Sequence, residues 1–303
     1  MGDWSVGLST GYYYQQKILV HLEEILRNGF SRIEVCSHPD HLNYHDMDEV
    51  DEVARRLREL EMEAWSFHAP FADGIDISHP DEERRDRSRH EMLQAAEAAA
   101  RLQARHFVVH PGPEQEIHET SEEHSQRRGH TTDVLHQISR RCAELGIELV
   151  LENKLPHLLF GDADDLLWFA NALDAGNQGL CLDTGHAHLS GDLDGMVHRL
   201  SGRVRMVHAH DNEGDRDDHL PPGEGEIDWR QTLELLVDTG FEGAIIIELE
   251  SKENESKEHP ESLLERACRS RQLIHDCLRE IEASRALEGG GVQGSPETST
   301  GGA

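Results

Sequence analysis

The 303-residue sequence predicts a (β/α)8 barrel, on three observations. Eight short apolar runs rich in β-formers recur from one end of the chain to the other. Polar segments with helical spacing separate them, and several runs are too uniformly apolar to face water on either side. The runs cover residues 4–10, 31–36, 64–68, 106–110, 147–152, 179–183, 204–208 and 244–248, each of strand length. The segment after the second run places Val50, Val53, Ala54, Leu57 and Leu60 on one helical stripe, opened by Asp46 with Glu49 three residues later as a capping box. After the last run, Leu263, Leu264, Ala267, Ile274, Cys277, Leu278 and Ile281 repeat the design. A strand such as Ala244-Ile-Ile-Ile247 suits a parallel sheet covered by helices, because parallel strands need crossovers of this length. The competing doubly wound open sheet usually carries a glycine-rich phosphate loop after its first strand, and Ser9-Thr-Gly-Tyr-Tyr-Tyr14 has no such fingerprint.

Composition narrows the functional classes. Sixty Asp and Glu against 29 Lys and Arg give a formal charge of −31, which repels phosphate backbones and anionic membranes, so nucleic acid is not the expected partner. Lysine occurs only at Lys17, Lys154, Lys252 and Lys257, and acid excess spread over the whole chain is the pattern of an acidic proteome in salt-rich cytoplasm. No stretch approaches the roughly 20 apolar residues of a membrane span, and the first residues do not read as an export signal, so the expectation is a cytoplasmic protein without membrane contact. Five cysteines, an odd number without a Cys-x-x-Cys pair, read as reduced core thiols. Residues 1–285 are expected to form the single barrel domain. Residues 286–303, rich in Gly, Ser and Thr, have little to bury and are expected to be a disordered tail.

In a barrel every strand ends on the same face, so strand ends converge. Here they carry Glu34, His68, His110, Glu152, Asp183, His208 and Glu248, all carboxylate or imidazole. Seven such groups around one mouth would repel or desolvate one another without a cation among them. The loops after the sixth and seventh runs add Asp183-Thr-Gly-His186 and Asp217-Asp-His219, further oxygen and nitrogen donors at short spacing. Carboxylates with added imidazole suit zinc, manganese, magnesium or cobalt.

The motifs His68-Ala-Pro-Phe71, His110-Pro-Gly112, Leu151-Glu-Asn153, Asp183-Thr-Gly-His-Ala-His188, Val207-His-Ala-His-Asp-Asn212, Asp217-Asp-His-Leu-Pro-Pro-Gly-Glu-Gly225 and Ile247-Glu248 resemble the xylose isomerase-like TIM-barrel superfamily over nearly the whole chain before the tail. That superfamily holds sugar and sugar-phosphate isomerases and epimerases, and also the endonuclease IV family. In the isomerase branch the resemblance implies one divalent ion held by Glu152, Asp183, His208 and Glu248. The two glutamates also serve as acid and base in proton transfer through an enediolate, and His186 contacts a substrate oxygen. In the nuclease branch it implies up to three zinc ions, with His68, His110, His186, Asp217 and His219 as additional ligands.

The glycine-rich continuation of the nuclease family after the fifth strand is replaced here by Glu152-Asn-Lys-Leu-Pro-His157, and the acidic surface opposes DNA. The preferred reading is therefore an isomerase or epimerase of a small sugar or polyol. A zinc phosphodiesterase acting on abasic DNA is the alternative, and a non-catalytic metal-binding barrel the third. Glu34, His68, His110 and His188 are expected to contact substrate, Glu34 alternatively to orient His68. His188 and His210 are expected to support the site rather than ligate. Trp4, Tyr12, Tyr13, Tyr14, Trp65 and Phe71 are expected near the mouth or in the wall, and Gly223-Glu-Gly225 is the one glycine-rich candidate for a phosphate nest.

Overall fold

A computed structural model describes residues 4–72, 74–173, 176–250 and 262–290. Eight parallel strands close in sequence order: β1 (Val6–Ser9), β2 (Arg32–Cys36), β3 (Glu63–His68), β4 (His106–Val109), β5 (Glu148–Glu152), β6 (Gln178–Asp183), β7 (Val204–Ala209) and β8 (Ala244–Ile247). β8 pairs with β1, Ile245 opposite Val6 and Ile247 opposite Leu8. This is the (β/α)8 barrel of the sequence prediction, with each strand lying within a residue or two of its apolar run.

The helices form where their apolar stripes can be buried. Met47–Glu59 buries Val50, Val53, Ala54 and Leu57, and Asp46 caps it by accepting from the N–H groups of Asp48 and Glu49. The capping box expected there is only half made, because the Glu49 carboxylate turns instead to Lys17 Nζ at 2.9 Å and the Asn43 N–H at 3.3 Å. A reciprocal box does open Ser121–Leu145, between Thr120 and Glu123, and that helix ends at Gly146 with φ 74°, a left-handed cap that glycine adopts without strain.

The last helix, Leu263–Gly290, buries Leu264, Ala267, Ile274, Cys277 and Ile281. It continues past the expected domain boundary at residue 285, since Ala286, Leu287 and Glu288 are strong helix formers that extend the ladder locally. The rest of the expected tail, 291–303, lies outside the described residues.

Strand periodicity organises the barrel interior. Val108, Val150, Cys181, Met206, Ala244 and Ile246, from β4 to β8, form an apolar layer inside it, each fully buried aliphatic contributing about 1.5–3 kcal/mol. Side chains two residues further along a strand point the same way one level higher. His110, Glu152, Asp183, His208 and Glu248 therefore stand above Val108, Val150, Cys181, Met206 and Ile246. Register shifts between Ile33 and Glu34 and between Leu180 and Cys181 bring Glu34 opposite Ser66 and Asp183 opposite His208. All five cysteines are free thiols, and burial pushes the Cys36 thiol up to about 12. Among the described residues no helix is long and apolar enough to cross a membrane.

Candidate active site

At the mouth, Glu152 lies 2.9 Å from His208 Nδ1 through Oε1, while its Oε2 lies 3.2 Å from His68 Nε2 and 3.3 Å from His110 Nε2. Glu248 approaches the same His208 Nδ1 at 3.1 Å. Glu152, Asp183, His208 and Glu248 each offer one donor atom within 4.8 Å of the others. His68, Glu152 and His208 form a second such group, and His186, His210, Asp217 and His219 a third.

Several imidazoles are held by one nitrogen and face the centre with the other. His68 Nδ1 donates to the Ala69 carbonyl at 2.9 Å and His186 Nδ1 to the Asn153 carbonyl at 3.0 Å. His110 Nδ1 donates to Glu114 at 2.8 Å, and His208 Nε2 to Glu34 at 2.9 Å. This is how a protein presets a ring's tautomer and aims its free lone pair at a ligand. Asp183 is clamped by Asn153, whose Oδ1 accepts the Asp183 N–H at 2.7 Å and whose Nδ2 donates to its carbonyl at 2.9 Å.

Asp217 Oδ2 lies 3.3 Å from His186 Nε2 and 3.2 Å from His219 Nε2. His219 holds a left-handed φ of 46° and stacks on His210 at 3.9 Å. His210 Nε2 lies 3.0 Å from both Asp183 oxygens, and a Cβ on Gly185 would fall 2.0 Å from the His210 ring, so only glycine fits there.

The electrostatics are one-sided. Burial lowers an imidazole's proton affinity, yet Glu114 and Glu152 outweigh it at His110 and raise it to about 9. Asp183 and Asp217 likewise raise His186 to about 10, and Asp217 raises His219 to about 9. Burial raises carboxyl groups, yet His208 and His110 hold Glu152 well below the usual range, and His208 does the same to Glu248. The carboxylates draw positive charge to the mouth, and a divalent ion would displace those protons. Among the described residues, none is a hydrogen-bond partner to the buried atoms Glu248 Oε2, Asp217 Oδ1, His110 Nε2 and His210 Nδ1.

The match to the xylose isomerase-like TIM barrel family spans residues 22–288. The chain belongs to that family. Among its relatives, the protein MJ1311 of Methanocaldococcus jannaschii is 30% identical over 253 residues, covering 81% of this chain and 84% of the relative. The D-psicose 3-epimerase of Ruminiclostridium cellulolyticum is 27% identical over 120 residues, 39% of this chain and 40% of the enzyme. A solved D-tagatose 3-epimerase-like protein superposes with a TM-score of 0.78 at 26% identity, over 92% of this chain and 99% of that one. The IOLI protein, solved with a bound zinc atom, superposes at 0.72 with 20% identity, over 91% and 97%. This xylose isomerase-like barrel thus has sugar epimerases among its homologues.

Several expectations from the sequence change once the barrel is closed. Glu34 borders the cavity at the mouth but orients His208 rather than His68. It is fully buried, accepts from Ser9 at 3.2 Å and Ser66 at 2.8 Å, and holds His208. His188 turns away from the mouth, where Asn212 Oδ1 holds its Nδ1 at 2.8 Å, because it sits two residues beyond His186 on the short helix Thr184–Leu189 and so on another face.

Trp4 and Trp65 belong to the opposite end of the barrel, Trp4 donating to the Phe241 carbonyl and Trp65 lying beside Arg32 and Arg105, since they precede or begin their strands. Gly223-Glu-Gly225 is no anion nest: the Gly223 N–H donates to Asp211 at 2.9 Å and Glu224 pairs with Arg266 and Arg269. Glu114 and Lys154, neither singled out in sequence, also line the mouth. Lys154 is buried, its ammonium taken by Glu114 at 3.0 Å and by the carbonyls of Gly112 and Pro113, and burial lowers its proton affinity. The only signal for Glu114 is its place four residues after His110, in the loop that follows β4.

Proposed function

We propose that this family member is a divalent-metal-dependent sugar isomerase or epimerase in which Glu152 and Glu248 move a proton on carbon. The observation that carries this reading is that two carboxylates from the ends of different strands meet one His208 nitrogen, at 2.9 and 3.1 Å, with Asp183 alongside. Two glutamates, an aspartate and one imidazole suit manganese, magnesium, cobalt or zinc, and one ion is the preferred count. Such an ion, when bound, polarises a carbonyl and its neighbouring hydroxyl and stabilises the charge that develops as the proton leaves.

One glutamate removes the proton from the carbon beside the carbonyl, giving an enediolate. The other, having taken a proton from solvent, returns it to that carbon from the opposite face in an epimerase, or to the adjacent carbon in an isomerase as the hydroxyl proton moves between the two oxygens, and the first releases its proton to solvent. His186, fixed by the Asn153 carbonyl, presents Nε2 to a substrate oxygen. His68 and His110 hold the Glu152 carboxylate in place.

The test is to incubate candidate ketoses with the metal-loaded protein in heavy water and follow deuterium entering beside the carbonyl by NMR. Exchange in the wild type that stops in Glu152→Gln and in Glu248→Gln is expected. Full activity in chelator-stripped protein would overturn the metal requirement. A second reading, a zinc phosphodiesterase, draws support from the further donor group His186, His210, Asp217 and His219. Cleavage of abasic DNA with more than one zinc per chain would favour it. Metal retained without exchange on any ketose and without DNA cleavage would leave a non-catalytic metal-binding barrel.

A further inference from the structure

Two cavities open side by side at the mouth and share His68, Phe71, Asp217, His219 and Glu248. The inner one, about 120 Å³, is bounded by Glu152 and Lys154; the outer one, about 610 Å³, is walled by Tyr14, Tyr44, Phe71, Ile75 and Leu249. Reacting carbons must reach Glu152, which lines only the inner space, so whatever else a substrate carries passes Phe71 into the outer one. Phe71 lies edge-on to His68 with ring centres 4.8 Å apart, yet remains 46% exposed, a large apolar face left in water beside the site.

The charge of the described walls disfavours an anion. Among the described residues no arginine lines either cavity, and the one lysine, Lys154, is already neutralised by Glu114. A phosphate in the outer cavity would meet Glu34, Asp217, Glu248 and Glu250, while the imidazoles of His219 and His68 are already paired with Asp217 at 3.2 Å and Glu152 at 3.2 Å. The aromatic rings would instead bury an apolar group and stack on a planar one. Tyr44 is fixed for this by donating to Glu91 at 2.6 Å.

We propose that the outer cavity receives an uncharged apolar substituent attached to the sugar, so that the substrate is a sugar conjugate rather than a bare or phosphorylated sugar. The inference rests on the sugar reading of the site and narrows its substrate class. Calorimetric binding to the metal-loaded protein would compare D-fructose, D-fructose 6-phosphate and D-fructose benzylated at O1 or at O6. At least one benzyl ketose is expected to bind about tenfold or more tightly than D-fructose, and the phosphate ester more weakly than D-fructose.

Phe71→Ala and Tyr14→Ala should each shrink the benzyl advantage. A benzyl ketose that binds no tighter than D-fructose, a phosphate ester that binds tighter than either, or an advantage undiminished in both variants would overturn the proposal. Deuterium exchange on the same ligands separates the two claims. A benzyl preference in binding with no exchange leaves the cavity assignment standing and removes the reaction, whereas exchange on D-fructose with no benzyl preference does the reverse.

Discussion

Strand β5 begins at Glu148 and ends at Glu152, and the two carboxylates keep different company. At the floor of the barrel Glu148 lies 3.0 Å from Arg205 and 3.2 Å from His106, while Glu63 joins Arg32 at 2.7 Å and Arg105 at 2.6 Å, with Trp65 beside both guanidinium groups. At the mouth the ion-pair partners of Glu152 are three imidazoles, and those of Asp217 are imidazoles too. Arginine is a permanent cation and makes the floor a closed structural network. Imidazole gives up its proton readily and offers a lone pair, so the mouth can exchange protons for a metal. Identical residue types on one strand thus acquire structural or chemical roles from the basic residue opposite them.

The sharpest way to break this comparison is to neutralise both ends of β5. Glu152→Gln should lower deuterium exchange by about a thousandfold and reduce bound metal, while Glu148→Gln changes exchange by no more than about twofold. Equal losses would erase the distinction between floor and mouth.

Next in size is Asp217→Ala. If its loop only shapes the pocket, kcat/KM should fall roughly 10- to 100-fold with metal per chain unchanged. Loss of one ion together with cleavage of abasic DNA would instead favour the phosphodiesterase.

The two ends also predict opposite pH responses in chelator-stripped protein. His110, His186 and His219 have folded values raised to about 9, about 10 and about 9 from 6.5, so their stabilisation is complete below 6.5 and is lost as pH rises through 9–10. Burial opposes the effect at Glu148, but His106 and Arg205 hold its carboxyl below 4.5, so that stabilisation is lost as pH falls below 4.5. Thermal melts across pH should show the alkaline loss in stripped protein and its reduction on adding the ion. A stripped protein that is stable through pH 10 would contradict the charge imbalance at the mouth.

The smallest effect belongs to Glu63→Gln. Its partners Arg32 and Arg105 are themselves partly exposed, so denaturant unfolding should register a loss of at most about 1 kcal/mol, with exchange unaltered. A larger loss would mean that the floor network behaves as a buried one.

Much of this was legible without coordinates. Alternation within a strand is local, so Val150 with Glu152, Cys181 with Asp183 and Met206 with His208 announce an apolar layer with a polar one above it. The helix stripe at Val50, Val53, Ala54 and Leu57 was legible for the same reason. Glu34 was harder: its register shift opposite Ser66 and its bond to His208, 174 residues away, leave no trace in neighbouring sequence. His188 misled because the motif did not show that it and His186 lie on a short helix, where residues two apart face different ways.

By itself, then, the sequence determined the strands, their covering helices, the donor types gathered at one mouth and the acidic surface, all properties that depend on period and composition over a few residues. Tertiary structure alone decided which nitrogen of each imidazole faces the centre, that Glu34 is spent on His208, that Lys154 is cancelled by Glu114, and that an apolar cavity adjoins the site. Each of those depends on a contact across the barrel or between two loops, where closure of the sheet, rather than any local preference, fixes which side chains meet.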